Sequence, residues 1–155
     1  MNHLWNQFSA SLPTLIWLAG WGQILLIVGS LGIPTILGWR EKLSALTVLL
    51  RQMFWVYSFY IWCTNLCFGL ISAFGTGLIL DGSPLAACVC GFIFGYWLLR
   101  MIIQWTYFDI SELPQTGFNT AARWILEVLF IGLAVVYGAA LVWNLQQLNG
   151  VVDAL

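Results

Sequence analysis

Apolar residues run along this chain in long unbroken stretches, and the polar positions collect between them. Four stretches stand out: about Pro13 to Leu37, Gln52 to Ala73, Pro84 to Tyr107 and Ala121 to Leu145. A hydrocarbon core about 30 Å thick takes roughly 20 apolar residues as a helix, and each stretch meets that length. Barrel strands instead alternate apolar and polar positions over roughly ten residues, a pattern that these continuous runs lack. The expected fold is therefore an all-α integral membrane protein, an antiparallel four-helix transmembrane bundle forming one domain.

Punctuation between the stretches has helix chemistry. Ser83 before Pro84 predicts an N-cap followed by proline at the first helical position, where the missing N–H costs nothing. Ser11 before Leu12-Pro13 predicts a similar start, and Asn119 or Thr120 a cap for the fourth helix. Asp81-Gly82-Ser83 and Ser111 to Gly117 read as turns. Met53 to Leu80 as one helix would be about 42 Å long, so a break is expected at Gly75-Thr76-Gly77, with Leu78 to Leu80 at the interface. Pro34 is expected to kink the first helix near its end. Leu43, Leu46 and Leu50 recur at helical spacing between Glu41-Lys42 and Arg51; this predicts a short helix on the cytoplasmic surface, or alternatively an extension of the second span.

Composition agrees. The chain has 155 residues, 61% of them hydrophobic and 7% charged, against about 25% charged in soluble domains. A net charge of -1 offers no basic stripe for phosphates, which excludes nucleic acid as a partner. The remaining partners are the lipid bilayer and either copies of this chain or other membrane subunits. No Lys or Arg precedes the first stretch, so it is expected to be a retained span rather than a cleaved signal. Small size and the lack of a processing signal point to the bacterial plasma membrane.

Charge also sets orientation. Arg40, Lys42 and Arg51 flank the first connection, and Arg100 and Arg123 the third; the second has Asp81 and no basic residue. Basic flanks stay in the cytoplasm, so both termini, marked by His3 and Asp153, are expected outside it. Trp39, Trp55, Trp105, Tyr107 and Trp124 then fall at cytoplasmic ends, with Trp5, Trp17, Trp21 and Trp143 towards the other face, as interfacial aromatic residues do. Trp62 and Trp97 fall inside.

The candidate chemistry is sparse. Arg100 and Glu127 fall at matching depth, roughly 10–12 Å from the cytoplasmic ends of the third and fourth spans. Charges at that depth find partners or water, so an Arg100–Glu127 ion pair facing the interior is expected. The alternatives are snorkelling by Arg100 and pairing of Glu127 with Arg123 one turn away. Cys63 and Cys67 lie one turn apart, and Cys88 and Cys90 begin the third span. The set lacks Cys-x-x-Cys spacing and a nearby cation, and its irregular spacing argues against zinc. Inert buried thiols are the expectation, although Cys67 and Cys88 match in depth well enough for a disulfide.

Gln23, Thr64 and Asn65 are the interior polar residues, expected to set helix register. Gly91-x-x-x-Gly95, Ala134-x-x-x-Gly138 and the glycines 20, 22, 29 and 32 predict close helix packing. The one histidine, His3, lies outside the spans, which leaves no axial ligand for haem, no di-iron cluster and no Ser-His-Asp triad. No phosphate-binding glycine loop with a following lysine occurs, and no cofactor is expected. The expected role is a non-enzymatic structural or accessory subunit of a membrane assembly. A carrier or channel component for a small molecule or ion using Arg100 and Glu127, and a membrane redox or lipid-modifying enzyme, are the alternatives.

Overall fold

The structure, a computed structural model, describes residues 2–107 and 117–152. Among the described residues there are helices and turns and no strand. The helices are α1 (Asn2–Ser30), α2 (Ile33–Ile36), α3 (Trp39–Lys42), α4 (Val48–Phe74), α5 (Thr76–Ile79), α6 (Pro84–Thr106) and α7 (Gly117–Val152), with a 3-10 turn at Leu43–Ala45. Four segments are long and apolar enough to cross a membrane: Phe8–Ile36, Val48–Phe74, Pro84–Thr106 and Arg123–Gly150. Large apolar side chains such as Leu25, Phe74, Leu85, Phe92, Ile125 and Val128 point outward from them. That surface fits lipid as the surrounding solvent, because lipid removes the penalty water imposes on exposed hydrocarbon. The chain forms two compact units, Met1–Ile16 with Gly75–Leu155, and Trp17–Phe74.

In the first unit α6 and α7 pack along their length. The buried side of α6 carries Ala86, Cys90, Ile93 and Trp97, and that of α7 carries Phe130, Leu133, Tyr137, Ala140 and Asn144. Both series step by three and four residues, which keeps one face of each helix on the seam. Contacts pair Cys90 with Asn144, Trp97 with Phe130 and Trp105 with Glu127. Residue numbers rise along α6 as they fall along α7, so the pair is antiparallel. Ser83 caps α6 as its sequence predicts: its Oγ accepts from Ala86 N at 3.1 Å, and Pro84 opens the helix.

In the second unit α1 crosses α4 with backbones close together. A Cβ on Gly20 would come within 2.4 Å of Ala73 N and 2.9 Å of Gly69 O, and one on Gly69 within 2.8 Å of an Ile24 side-chain carbon. Only hydrogen fits at either position. At the opposite end of α4, Trp39 packs edge-on to Phe54 and Trp55, with ring centroids 4.9 and 6.1 Å apart.

Several boundaries differ from those expected. Helix α1 begins at Asn2, so Ser11 does not cap it and Pro13 lies inside it; a membrane helix tolerates the lost hydrogen bond where other groups answer the carbonyl. Pro34 ends α1 rather than kinking it. Having no N–H, Pro34 cannot donate to Ser30, and the chain turns at residues 31–32 before α2. Residues 41–50 are not one helix: the backbone extends at Leu46 (ψ 153°), and Leu50 belongs to α4. The break after α4 falls at Gly75 as expected, yet residues 76–79 form the single turn α5, whose Ile79 is buried. Helix α7 is already helical at Gly117, so Asn119 and Thr120 do not cap it, and its 36 residues make it about 54 Å long. The turn expected at Ser111–Thr116 and the terminal Asp153 lie outside the described residues, as do the side chains of His3, Trp5 and Asn119.

Gly20→Leu is expected to destabilise the fold by about 1–3 kcal/mol through overpacking against backbone that cannot yield. Gly29, with nothing within 4 Å of its Cβ position, should accept alanine with a change within about 0.5 kcal/mol. Thermal unfolding of both variants in detergent micelles, followed by circular dichroism, measures the difference.

Candidate functional site

Two polar clusters and one apolar groove mark the α6–α7 unit, and the first cluster centres on Asn144. Its side chain is fully buried. Oδ1 accepts from Gly82 N at 3.0 Å, while Nδ2 donates to Ile79 O and Ala140 O, both at 2.9 Å, and lies 3.6 Å from Cys90 Sγ. The Cys90 thiol in turn donates to Ile79 O at 3.6 Å. One carboxamide thereby answers the C-terminal carbonyl of α5 and the amide of the following turn, groups a helix end leaves without partners of its own. The turn itself needs Gly82, whose φ of +74° lies in the left-handed region that side chains resist. Asp81 completes it by accepting from Ser83 N at 2.8 Å; hydrogen bonding with the Ser83 side chain, and then with its backbone, lowers the Asp81 pKa from its ordinary value.

The second feature surrounds Arg100 and Glu127. Trp97 stacks on Phe130 with centroids 5.2 Å apart, and the Arg100 guanidinium sits 5.3 Å from the centre of the same Phe130 ring. Cation and aromatic face attract electrostatically. Glu127 accepts a hydrogen bond from the Trp105 indole N–H. Both charged residues are half-buried and lie within one stretch of the hairpin, each with an aromatic contact that its sequence position did not disclose. Arg123, one turn before Glu127, is exposed and lies beside the Trp124 ring at 6.0 Å.

The third feature is an open apolar groove of about 240 Å³ between the two helices. Phe94, Leu98 and Met101 of α6 face Ile131, Val135 and Gly138 of α7 across it, and the buried Ala134 also lines it. Gly138 makes room for the Phe94 ring, whose nearest carbons lie 3.2 Å from where a Cβ would stand. Gly91 meets only the Leu141 side chain at ordinary contact distance, and Gly95 has nothing within 4 Å. The expected close packing at 91 and 95 is therefore not observed; Gly20 and Gly69 fill that role instead.

The other predicted residues are placed as follows. All four cysteines are free thiols: Cys90 is buried, Cys63 half-buried, and Cys67 and Cys88 exposed. Gln23 and Asn65 are buried and Thr64 half-buried. Gln23 donates to Ala19 O at 3.3 Å and Asn65 to Ile61 O at 2.8 Å, each within its own helix. Among the described residues no group of three or more His, Cys, Asp or Glu side chains could hold a metal ion. Asn144 was missed because a single amide near a helix end looks like a solvated residue; Asp81-Gly82, the turn it binds, was the available signal. No protein family, no curated protein and no solved structure matches the chain.

Replacing Asn144 by leucine should leave the part-buried Gly82 amide without its acceptor and the Ile79 carbonyl with only its longer Cys90 contact, at a total of about 1–3 kcal/mol; thermal unfolding in detergent reports the loss. Asp81→Ala should lower stability at neutral pH. Because the folded pKa of Asp81 is depressed, its contribution is present above the unfolded value of about 3.9 and is lost as pH falls through the lower folded value. The gap between wild type and Asp81→Ala should close over that acid range in a pH series of melting curves.

Proposed function

We propose that this chain is a multi-pass protein of the bacterial plasma membrane, an antiparallel four-helix bundle that serves as a non-enzymatic structural or accessory subunit of a membrane assembly. The observation that carries the reading is the engagement of Asn144, which spends both donors and its acceptor on its own chain. The Gln23 and Asn65 amide nitrogens and one Glu127 carboxylate oxygen also bond within the protein. A transport path would instead turn such groups towards water or a solute. In this reading Arg100 and Glu127 hold helices together and do not carry ions.

Orientation follows from charge. Arg40 and Lys42 lie on α3 and Arg51 in the first turn of α4, while Arg100 and Arg123 lie on the facing ends of α6 and α7; Asp81 lies at the other end of that hairpin. Basic residues are retained in the cytoplasm, which puts both termini on the opposite side and residues 39–45 at the cytoplasmic interface.

Two measurements test the proposal. A cysteine tag added at either terminus of a cysteine-free chain should react with an impermeant maleimide in intact cells; protection of either end contradicts the orientation. Native mass spectrometry of a mild-detergent extract should show a complex of fixed stoichiometry, with itself or with another membrane chain, that survives Glu127→Gln and Arg100→Leu. A monomer that conducts ions in planar bilayers, with conductance lost in Glu127→Gln, would replace the subunit reading with the carrier or channel one.

A further inference from the structure

The unit formed by residues 17–74 has three cations, Arg40, Lys42 and Arg51, and one acid, Glu41. Among the described residues, none of the three cationic side chains has an ion pair, hydrogen bond or ring contact. Arg100 and Arg123, by contrast, each lie against an aromatic ring. Arg40 and Lys42 are exposed and Arg51 half-buried, so the surplus of positive charge faces outward. Aromatic packing fixes its depth. Gly38, at φ +61°, turns the chain in a way side chains resist, and Trp39 beside it packs edge-on to Phe54 and Trp55. Phe54 lies about 9 Å along α4 from Val48. With 27 residues, α4 is about 40 Å long, which matches a hydrocarbon core of about 30 Å together with its headgroup layers. Its first turns, and the α3 residues that Trp39 holds beside them, therefore lie at the level of lipid phosphates. Leu46, Val48, Leu49 and Leu50 are exposed next to Arg51.

We infer that residues 39–51, held by Phe54 and Trp55, bind the headgroup of an anionic phospholipid, with its phosphate met by Arg40, Lys42 and Arg51. The inference rests on the membrane reading above and is independent of which side the segment faces. Charge complementarity selects the occupant. Three positive charges less one negative leave a net +2, and exposed Lys and Arg at a membrane surface attract anionic lipid. Guanidinium groups pair with phosphate oxygens through a planar fork, and an ammonium adds a compact charge. A zwitterionic headgroup brings a cation of its own and leaves the surplus unmatched. Trp39 and Trp55 supply the amphipathic rings that belong at headgroup depth. The exposed leucines suit acyl chains, which an acidic protein arriving from water does not offer. Retention of basic residues in the cytoplasm accounts for the charges alone and not for Trp39 holding them at phosphate level.

The test uses the full chain, purified in mild detergent and offered an equimolar mixture of phosphatidylglycerol and phosphatidylcholine with the same acyl chains, read by native mass spectrometry. The expected result is retention of phosphatidylglycerol over phosphatidylcholine by about tenfold, equivalent to about 1.4 kcal/mol, with the preference falling as salt is raised. Arg40→Gln combined with Arg51→Gln should bring the ratio near unity, whereas Arg40→Lys combined with Arg51→Lys should keep most of it. Arg123→Gln, an exposed cation of the other unit, should leave the ratio unchanged. Trp39→Ala removes no charge and should still lower the ratio, because α3 loses its hold on α4; circular dichroism checks that each variant keeps its helix. Equal retention of the two lipids by the detergent-extracted wild type overturns the inference and leaves the membrane reading standing; a chain that dissolves in buffer without detergent ends both. A ratio that Arg123→Gln lowers as far as the Arg40 and Arg51 pair, or that Trp39→Ala leaves untouched, also overturns the site. Retention of a soluble polyglutamate peptide in preference to phosphatidylglycerol would assign the segment to an acidic protein instead.

Discussion

Lipid offers no hydrogen bonds, so each polar group of a chain inside it must be answered by the chain itself. Helices meet that demand for their interiors and fail it at their ends, where N–H and C=O groups are left over. The reversal between α5 and α6 concentrates such leftover groups beside a fully buried surface, and Asn144 resolves it. Its carboxamide spans from the carbonyl of Ile79 to the amide of Gly82, tying the start of α6 to the far end of α7. The seam from Cys90 down to Trp97 and Phe130 follows from that anchor. So does the register that sets Trp105 against Glu127.

How much of this was legible in the sequence depends on whether the deciding interaction is local. Ser83-Pro84 as a helix start is read from neighbours alone, and the structure has it. The break at Gly75 is likewise a matter of local backbone preference. Pro13 shows the limit: a proline can open a helix or sit within one, and only the surrounding structure decides. Residues 41–50 had helical leucine spacing, yet the extended backbone at Leu46 divides them. Glycine spacing was weaker still. Gly91-x-x-x-Gly95 has the spacing of a close crossing without one, whereas Gly20 meets Gly69 and Ala73 from a different helix, a pairing that no local motif encodes.

The charged residues show the same division. Their depth in the spans could be counted from the sequence, and both lie half-buried on the α6–α7 hairpin. Their aromatic companions could not be counted. The Phe130 ring under Arg100 and the Trp105 indole on Glu127 depend on the angular register of two helices, a quantity fixed by packing. Those contacts give each charged residue an aromatic partner on the facing helix.

The most direct measurement is amide hydrogen exchange at Gly82, followed by NMR on the protein in detergent micelles. The residue lies in a turn outside any helix, where an amide without a partner exchanges at the rate of an open loop. The bond to the buried Asn144 side chain predicts protection well above that of an open loop and approaching that of the amides in the middle of α6. Rapid exchange at Gly82 while α6 remains protected would contradict the account, because the carboxamide would then not be holding the turn.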